Sequence, residues 1–420
     1  MRTPVLSLIL LFLAFGSVQG ATIDLADCLE LAREHNPVLR SARLSPEVAG
    51  EEIARARGAE LPQIDLSGGY TVLKDSQAFS IEGRSVPTED RKYAFASLAL
   101  EQNLYDFGRI DSRVERARAR QQASRYDYEE REQDVFLRTV AIYYRILEAE
   151  KLLQAAEEEV RQTEDHRRVA RALFDQGVVT RNDVLQAEVA LAASRQLFLA
   201  RRNELENGWL RLNHLTGRPA GARGELEDPR LAALPEAAEP AEAVANRPEL
   251  RAQLQLVAES RQAVRASRST FRPSFYARAG IDYVENSQVE EQTIYSATVG
   301  FRMNLFDGLA STAQLRQATI EQARQERSLD NLRAEARLEY RTALNDARVA
   351  RQRIETAREA IRQGEENLRI NQNRYREQVG TATEALDAQT LLTRARTDYS
   401  RAVFDYQVSL ARVRRAKGAL

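Results

Sequence analysis

One cysteine, Cys28, is all that 420 residues contain, which excludes an internal disulfide and a thiolate metal cage. Proline is scarce, and an aromatic share of 7% with a mean hydropathy of −0.50 is thin for a large globular core. Charged residues are plentiful at 29%, a balance that favours long helices over a compact globule. The hydrophobic share of 43% with clear periodicity argues against a disordered chain. Charge of one sign is also missing: 61 basic against 62 acidic residues leave a net charge of −1, so no overall field draws nucleic acid. The three histidines, His35, His166 and His214, are scattered, and no nucleophile–base grouping can be assembled. An enzyme is therefore not expected, and no cofactor or metal is implied.

Only one long apolar run exists. Arg2 precedes Val5 to Phe15, and Ser17-Val18-Gln19-Gly20 then offers small residues at cleavage spacing. The pattern predicts a secretory signal peptide over residues 1–20, too short to span a bilayer. No other stretch predicts a transmembrane helix. Leu25-Ala26 before Cys28 suggests a lipid anchor, but Asp27 stands where a small residue is needed and Asp24 interrupts the apolar region. Cys28 is expected instead to be a buried small residue in a helix.

What the chain does contain is itself, twice. "NPVLR" (Asn36 to Arg40) returns as "RPELR" (Arg247 to Arg251), a shift of 211 that also relates Pro62 to Pro273 and Gly69 to Gly280. "NLYD" (Asn103 to Asp106) returns as "NLFD" (Asn304 to Asp307), a shift of 201 that holds through to Gly217 and Gly418. Such self-similarity marks a repeated structural unit. The expected organisation is a signal peptide 1–20, a first repeat 21–217, a linker 218–239 and a second repeat 240–420. Constant length after Asn103 suggests a rigid element, with the ten spare residues of the first copy in a loop.

Within each copy, residues 37–60 read as helix. "QIDLSGGYTVL", "YAFASLALEQNLY", "SFYARAGIDYV" and "TIYSATVGFRMNLF" alternate as strands do. Each strand is about ten residues, enough for a tilted membrane strand. Tyr93, Phe95, Tyr295, Phe301 and Phe306 are expected on its outward apolar face. After Asp106 and Asp307 the pattern turns helical for about 70 residues, or ~105 Å. Each Asp suits an N-cap, and Gly108 and Gly308 allow the change of direction. Ile354, Ile361, Leu368 and Tyr375 fall seven apart, as do Leu392, Tyr399 and Tyr406, giving coiled-coil seams. "FDQGVVTRNDVLQA" and "YREQVGTATEALDA" are then hairpin tips: Thr180 and Thr381 cap the return helices, with Asp183 and Glu384 completing capping boxes. For these two acids the sequence leaves both a capping and a functional role open.

Four membrane strands cannot close a barrel, and open edges in lipid leave backbone groups unsatisfied. Two chains give eight strands, a barrel whose interior side chains fill, and three give twelve, enough for a water-filled lumen; a conducting function favours three. The expected fold is mainly α with a membrane β part. Duplicated strand-strand and long-helix hairpin repeats assemble as a homotrimer, whose 12-strand β-barrel continues as an α-helical periplasmic barrel.

The mature chain resembles the TolC-type outer membrane efflux proteins. The likeness rests on the duplicated plan, on "NLYDFGR" and "NLFDG" at the strand-to-helix passage, and on the aromatic-x-x-Gly-x-x-Thr-x-x-acid-x-Leu-x-Ala signature at the tips. It implies an outer membrane channel-tunnel of a tripartite efflux or type I secretion system, with its helical part in the periplasm. The partners implied are a periplasmic adaptor (membrane fusion protein), an inner-membrane transporter and outer membrane lipid. It further implies that Asp183, Glu384 and Asp387 constrict the periplasmic entrance. Adaptor docking is implied around Gly177, Thr180, Gln378, Gly380 and Thr381, with Gln378 standing where the family has a second glycine. The rival reading is a soluble periplasmic coiled-coil adaptor, for which one hairpin set in β-rich domains is expected rather than a whole-chain duplication.

Overall fold

The computed structural model describes residues 22–81, 84–228, 230–377 and 379–420. The signal peptide expected over 1–20, and Gln378, lie outside the described residues. In chain order the elements are β1 (Thr22–Ile23), α1 (Leu25–His35), α2 (Pro37–Arg43), α3 (Ser45–Gly58), β2 (Gln63–Val72), β3 (Ala78–Ile81), β4 (Arg84–Pro87), β5 (Lys92–Tyr105), α4 (Arg109–Asp175) and α5 (Arg181–Thr216). The second half follows with β6 (Glu225–Leu226), α6 (Pro240–Ala243), α7 (Pro248–Ser269), β7 (Ser274–Val284), β8 (Thr293–Arg302), α8 (Ala310–Arg376) and α9 (Ala382–Ala416). The two long helices have the same length, 67 residues.

The chain forms two compact units, and each draws on both sequence repeats. One, described over residues 38–81, 84–134, 237–343 and 414–420, holds the sheet. Its strands run in the order β2-β5-β7-β8, every neighbour antiparallel. Strands β2 and β8 are thus edges without a partner among the described residues. Register settles the faces, because directly paired residues share one. Ile64, Leu66 and Tyr70 line up with Leu100, Leu98 and Ala94, then across β7 and β8 with Ala279, Ile281, Tyr295 and Ala297. This face is apolar and largely exposed, with Tyr295 76% and Phe301 68% accessible. The other face carries Asp65, Ser67, Ser97, Glu101, Asp282, Arg278, Ser296 and Thr298.

Two expectations about the strands are corrected. Tyr93 and Phe95 lie on the polar face, opposite Thr71 and Gly69. The Phe95 ring occupies the space a Cβ on Gly69 would need, 2.7 Å away. Phe306 is not in a strand at all, because β8 ends at Arg302. Asn304 Oδ1 there accepts the Phe306 N–H at 3.1 Å, and this side-chain turn takes the backbone out of the ladder.

The other unit, described over residues 22–37, 135–228, 230–236 and 344–413, holds the helical hairpins. The heptad seam is buried where the spacing puts it: Ile354, Tyr406 and Leu410 pack with Ala350 and Ala402. Arg195–Glu164 (2.7 Å) and Arg396–Glu365 (3.1 Å) are the same interhelix pair in the two hairpins, 201 residues apart. Both are exposed and contribute little stability.

The segment expected as a linker is not loose over its described part. Leu226 is buried in a parallel pairing of β6 with β1. The Tyr143 hydroxyl donates to the carbonyls of Ile23 (3.1 Å) and Glu227 (3.0 Å), and Tyr406 donates to Ala232 (2.9 Å). Tyr143 shares its single proton between its two carbonyls, and the two buried phenols together tie down this segment and β1.

Gly217 ends α5 at φ +68, and a Cβ there would sit 2.5 Å from His35 Cβ. Gly217→Ala is expected to destabilise the folded protein by about 1–2 kcal/mol from the left-handed backbone alone. Gly58→Ala, with no atom near the added methyl, is expected to be neutral or slightly stabilising. Thermal unfolding in mild detergent, followed by circular dichroism, reads both. Cys28 is fully buried in α1, and burial pushes its thiol up to about 12. Native protein is therefore expected to resist maleimide at pH 8 and to take one label per chain after unfolding.

Candidate functional site: the hairpin tips and the strand-to-helix passages

The strand-to-helix passage is built around an aspartate in each copy. Asp106 accepts the N–H groups of Arg109 and Ile110, both at 3.0 Å, capping α4. Asp307 accepts the Ser311 N–H at 2.9 Å, capping α8. The turn between strand and helix uses paired left-handed residues: Phe107 (φ 57) with Gly108 (φ 78), and Gly308 (φ 68) with Leu309 (φ 71). All four passage residues expected from sequence, Asp106, Gly108, Asp307 and Gly308, sit in these turns.

At the first tip, Gly177 takes φ +74 just beyond α4. The Val178 N–H bonds back to the Leu173 carbonyl and the Gly177 N–H to that of Phe174, both at 2.9 Å. This pair of bonds is the glycine-dependent helix stop. Thr180 then caps α5: its N–H donates to Asp183 Oδ2 at 2.8 Å, and its hydroxyl donates to the same oxygen at 2.7 Å. Those hydroxyl and backbone hydrogen bonds hold the Asp183 carboxyl below its ordinary value.

The second tip repeats the plan with changes. The Val379 N–H returns to the Arg374 carbonyl at 3.0 Å. The capping box is reciprocal: the Thr381 N–H donates to Glu384 Oε2 (3.1 Å) and the Glu384 N–H to Thr381 Oγ1 (3.2 Å). Gly380 is packed tightly, since a Cβ there would lie 3.0 Å from Arg374 Cβ and 3.1 Å from Glu384 Oε2. The Asp387 side chain is exposed and has no hydrogen bond or ion pair among the described residues.

Asp183 and Glu384 are thus each tied within their own tip, whereas Asp387 is left to solvent. Sequence reasoning missed Arg374, whose guanidinium lies 3.8 Å from Glu384 Oε2. Its counterpart in the first tip is Leu173, and that unmatched pair in otherwise parallel tips was the available signal. It also missed a buried ionic cluster. Arg415 Nε donates to Asp134 (2.8 Å) and its NH1 to Glu249 (3.0 Å), while Arg247 bonds Glu249 (2.7 Å) and Glu339 (2.6 Å). In the first copy the matching positions are Asn36, Val38 and His214, so three charges appear together in the second.

Residues 28–218 and 240–419 match the family described as outer membrane efflux protein. The chain is 24% identical over 303 residues to the outer membrane efflux protein BepC of Brucella suis, covering 70% of this chain and 63% of BepC, a little under two thirds of that relative. It is 24% identical over 350 residues to the outer membrane protein TolC of Vibrio cholerae, covering 80% of this chain and 76% of TolC. The solved structure of the outer membrane protein VceC from Vibrio cholerae superposes with a TM-score of 0.82 at 17% identity, over 94% of this chain and 96% of that one.

Proposed function

The chain belongs to the outer membrane efflux protein family, and on that premise we propose that it is the outer membrane channel-tunnel of a tripartite efflux or type I secretion system. Three copies close a 12-strand barrel through edges β2 and β8, and their helices continue it through the periplasm. A periplasmic adaptor docks around Gly177, Thr180, Gln378, Gly380 and Thr381, and an inner-membrane transporter supplies small molecules or polypeptides. Asp183, Glu384 and Asp387 surround the entrance.

The observation that carries this reading is the four-stranded sheet itself. One face is apolar and exposed, the other polar, and both edges lack partners among the described residues. In water such an apolar face is a liability. Around a lumen it is the arrangement that a membrane barrel needs.

Purified protein in a planar lipid bilayer is expected to give discrete ion-conducting steps; a trimer that inserts and stays silent contradicts the proposal. The faces give a second expectation. In a Cys28→Ala background, Phe95→Cys is expected to react with a membrane-impermeant thiol reagent, and Leu98→Cys to be shielded by lipid. The reverse pattern overturns the assignment of the polar face to the lumen.

A further inference from the structure

At the end of the sheet where the strands meet the helices, aromatic residues stand on neighbouring strands and in the turn that follows β5. Phe301 and Phe275 are cross-strand partners with ring centroids 6.2 Å apart. Phe275 pairs in turn with Tyr105, whose ring lies 4.7 Å from that of Phe107. Over Phe107, 5.2 Å from its centroid, sits the guanidinium of Arg272. Arg272 is exposed, and among the described residues it has no carboxylate partner. Arg302 makes a useful contrast: its guanidinium also lies over a tyrosine, Tyr276, but on the polar face, and it has Glu101 at 3.9 Å.

We propose that Arg272 holds the phosphate of a glycerophospholipid headgroup of the inner leaflet, with Phe107, Tyr105 and Phe275 against the lipid's glycerol and upper acyl chains. The proposal rests on the membrane-barrel reading above. Arg272 stands two positions before the first residue of β7, Ser274, in the bend that follows α7, so it is at most about 7 Å past the strand end. That keeps it within the headgroup layer, about 5–7 Å deep beyond the hydrocarbon on each side. Aromatic rings favour this level, and a cation there meets anionic headgroups. The face of a guanidinium serves the ring while its in-plane N–H fork stays free for a phosphate. The Phe107 ring is held there at a cost. Its backbone is left-handed at φ 57, a state worth about 1–2 kcal/mol of strain for a non-glycine residue. The Ser269 hydroxyl donates to the Phe107 carbonyl at 3.0 Å and helps hold the turn. The first repeat has Leu61 where the second has Arg272, so the assembly carries one such site per chain.

The test uses full-length trimer, delipidated in mild detergent and titrated with phosphatidylglycerol, with bound lipid counted by native mass spectrometry. Wild type is expected to retain up to three lipids per trimer, and Arg272→Gln to bind them about five-fold more weakly. Inorganic phosphate at ten times the lipid concentration is expected to leave the lipid in place. Unchanged binding by Arg272→Gln overturns the proposal, and displacement by inorganic phosphate overturns its lipid assignment. If Arg272→Gln does not assemble, Arg272→Lys is read instead. It keeps the charge without the planar fork, is expected to bind about two-fold more weakly, and contradicts the proposal if it matches wild type. A protein that never inserts into vesicles overturns both the channel reading and this one. Normal insertion with Arg272-independent lipid binding overturns this one alone.

Discussion

The double variant Glu384→Gln/Asp387→Asn is expected to lower the channel's cation-over-chloride permeability ratio by about tenfold and to abolish block by multivalent cations. In the proposed trimer six of these carboxylates would stand around one narrow mouth, and a cleft of one charge sign concentrates counter-ions by about ten-fold or more. The two substitutions are chosen so that the fold survives. Glutamine at position 384 still accepts the Thr381 N–H that Glu384 Oε2 now accepts at 3.1 Å, and a capping box tolerates either residue. Asp387 gives up no hydrogen bond or ion pair among the described residues. Asp387→Asn alone is therefore expected to produce most of the change, because Arg374 already lies 3.8 Å from Glu384 and offsets part of its charge. Reversal potentials under a salt gradient read the ratio. An unchanged ratio in a conducting double variant removes Glu384 and Asp387 from the entrance.

Arg415→Met is expected to be the most destabilising single change, at about 3–5 kcal/mol. Arg415 and Glu249 are only 7% and 8% accessible, and the loss of Arg415 leaves Glu249 buried with one arginine instead of two. Glu249 Oε2 already lacks a hydrogen-bond partner, so the carboxylate has no reserve of compensation. Arg415→Met/Glu249→Gln is expected to recover at least about 1 kcal/mol of the loss, since the uncompensated charge goes with it. The same group sets a pH dependence. Burial pushes Glu249 up, but its hydrogen bond from Arg247, its backbone hydrogen bond and the two nearby guanidinium charges outweigh this and hold it below the ordinary carboxylate value. Its contribution is present above the unfolded-state value near ~4.3 and is lost as pH falls through the lower folded value. The cost of Arg415→Met is therefore expected to be largest near pH 7, where Glu249 is ionised, and to shrink towards pH 3. Thermal unfolding between pH 3 and pH 7 tests both statements, and a variant as stable as wild type contradicts the cluster's role.

Much of this architecture was legible because the chain states it twice. A constant shift of 201 residues required equal long helices, and α4 and α8 are both 67 residues. Gly217 and Gly418 fell at matching positions and both take the left-handed conformation, at φ +68 and +69. In the tip signature Gly177 stops one helix, and Thr180 with Asp183 and Thr381 with Glu384 cap the next, tasks that are local in sequence. What failed needed partners distant in sequence. In β5 both phases of the alternation contain large side chains, so Phe95 could be assigned to either face. Alternation puts Phe95 with Ser97, and pairing with Gly69 and Val284 shows that this is the polar face of the sheet, with Asp282. The proline, glycine and alanine content of the 218–239 linker could not show that Tyr143 and Tyr406 hold its carbonyls, since both lie far from it in the chain. The Arg247–Glu249–Arg415 cluster was hidden for the same reason.

The central claim is that four strands per chain become a membrane channel only through three chains. The direct measurement is the mass of the protein extracted from isolated outer membranes in mild detergent, by light scattering corrected for bound detergent. With a chain mass of 47.5 kDa before removal of any leader, a particle of three chains is expected. A monomer recovered from the periplasmic wash, free of membrane, contradicts the account.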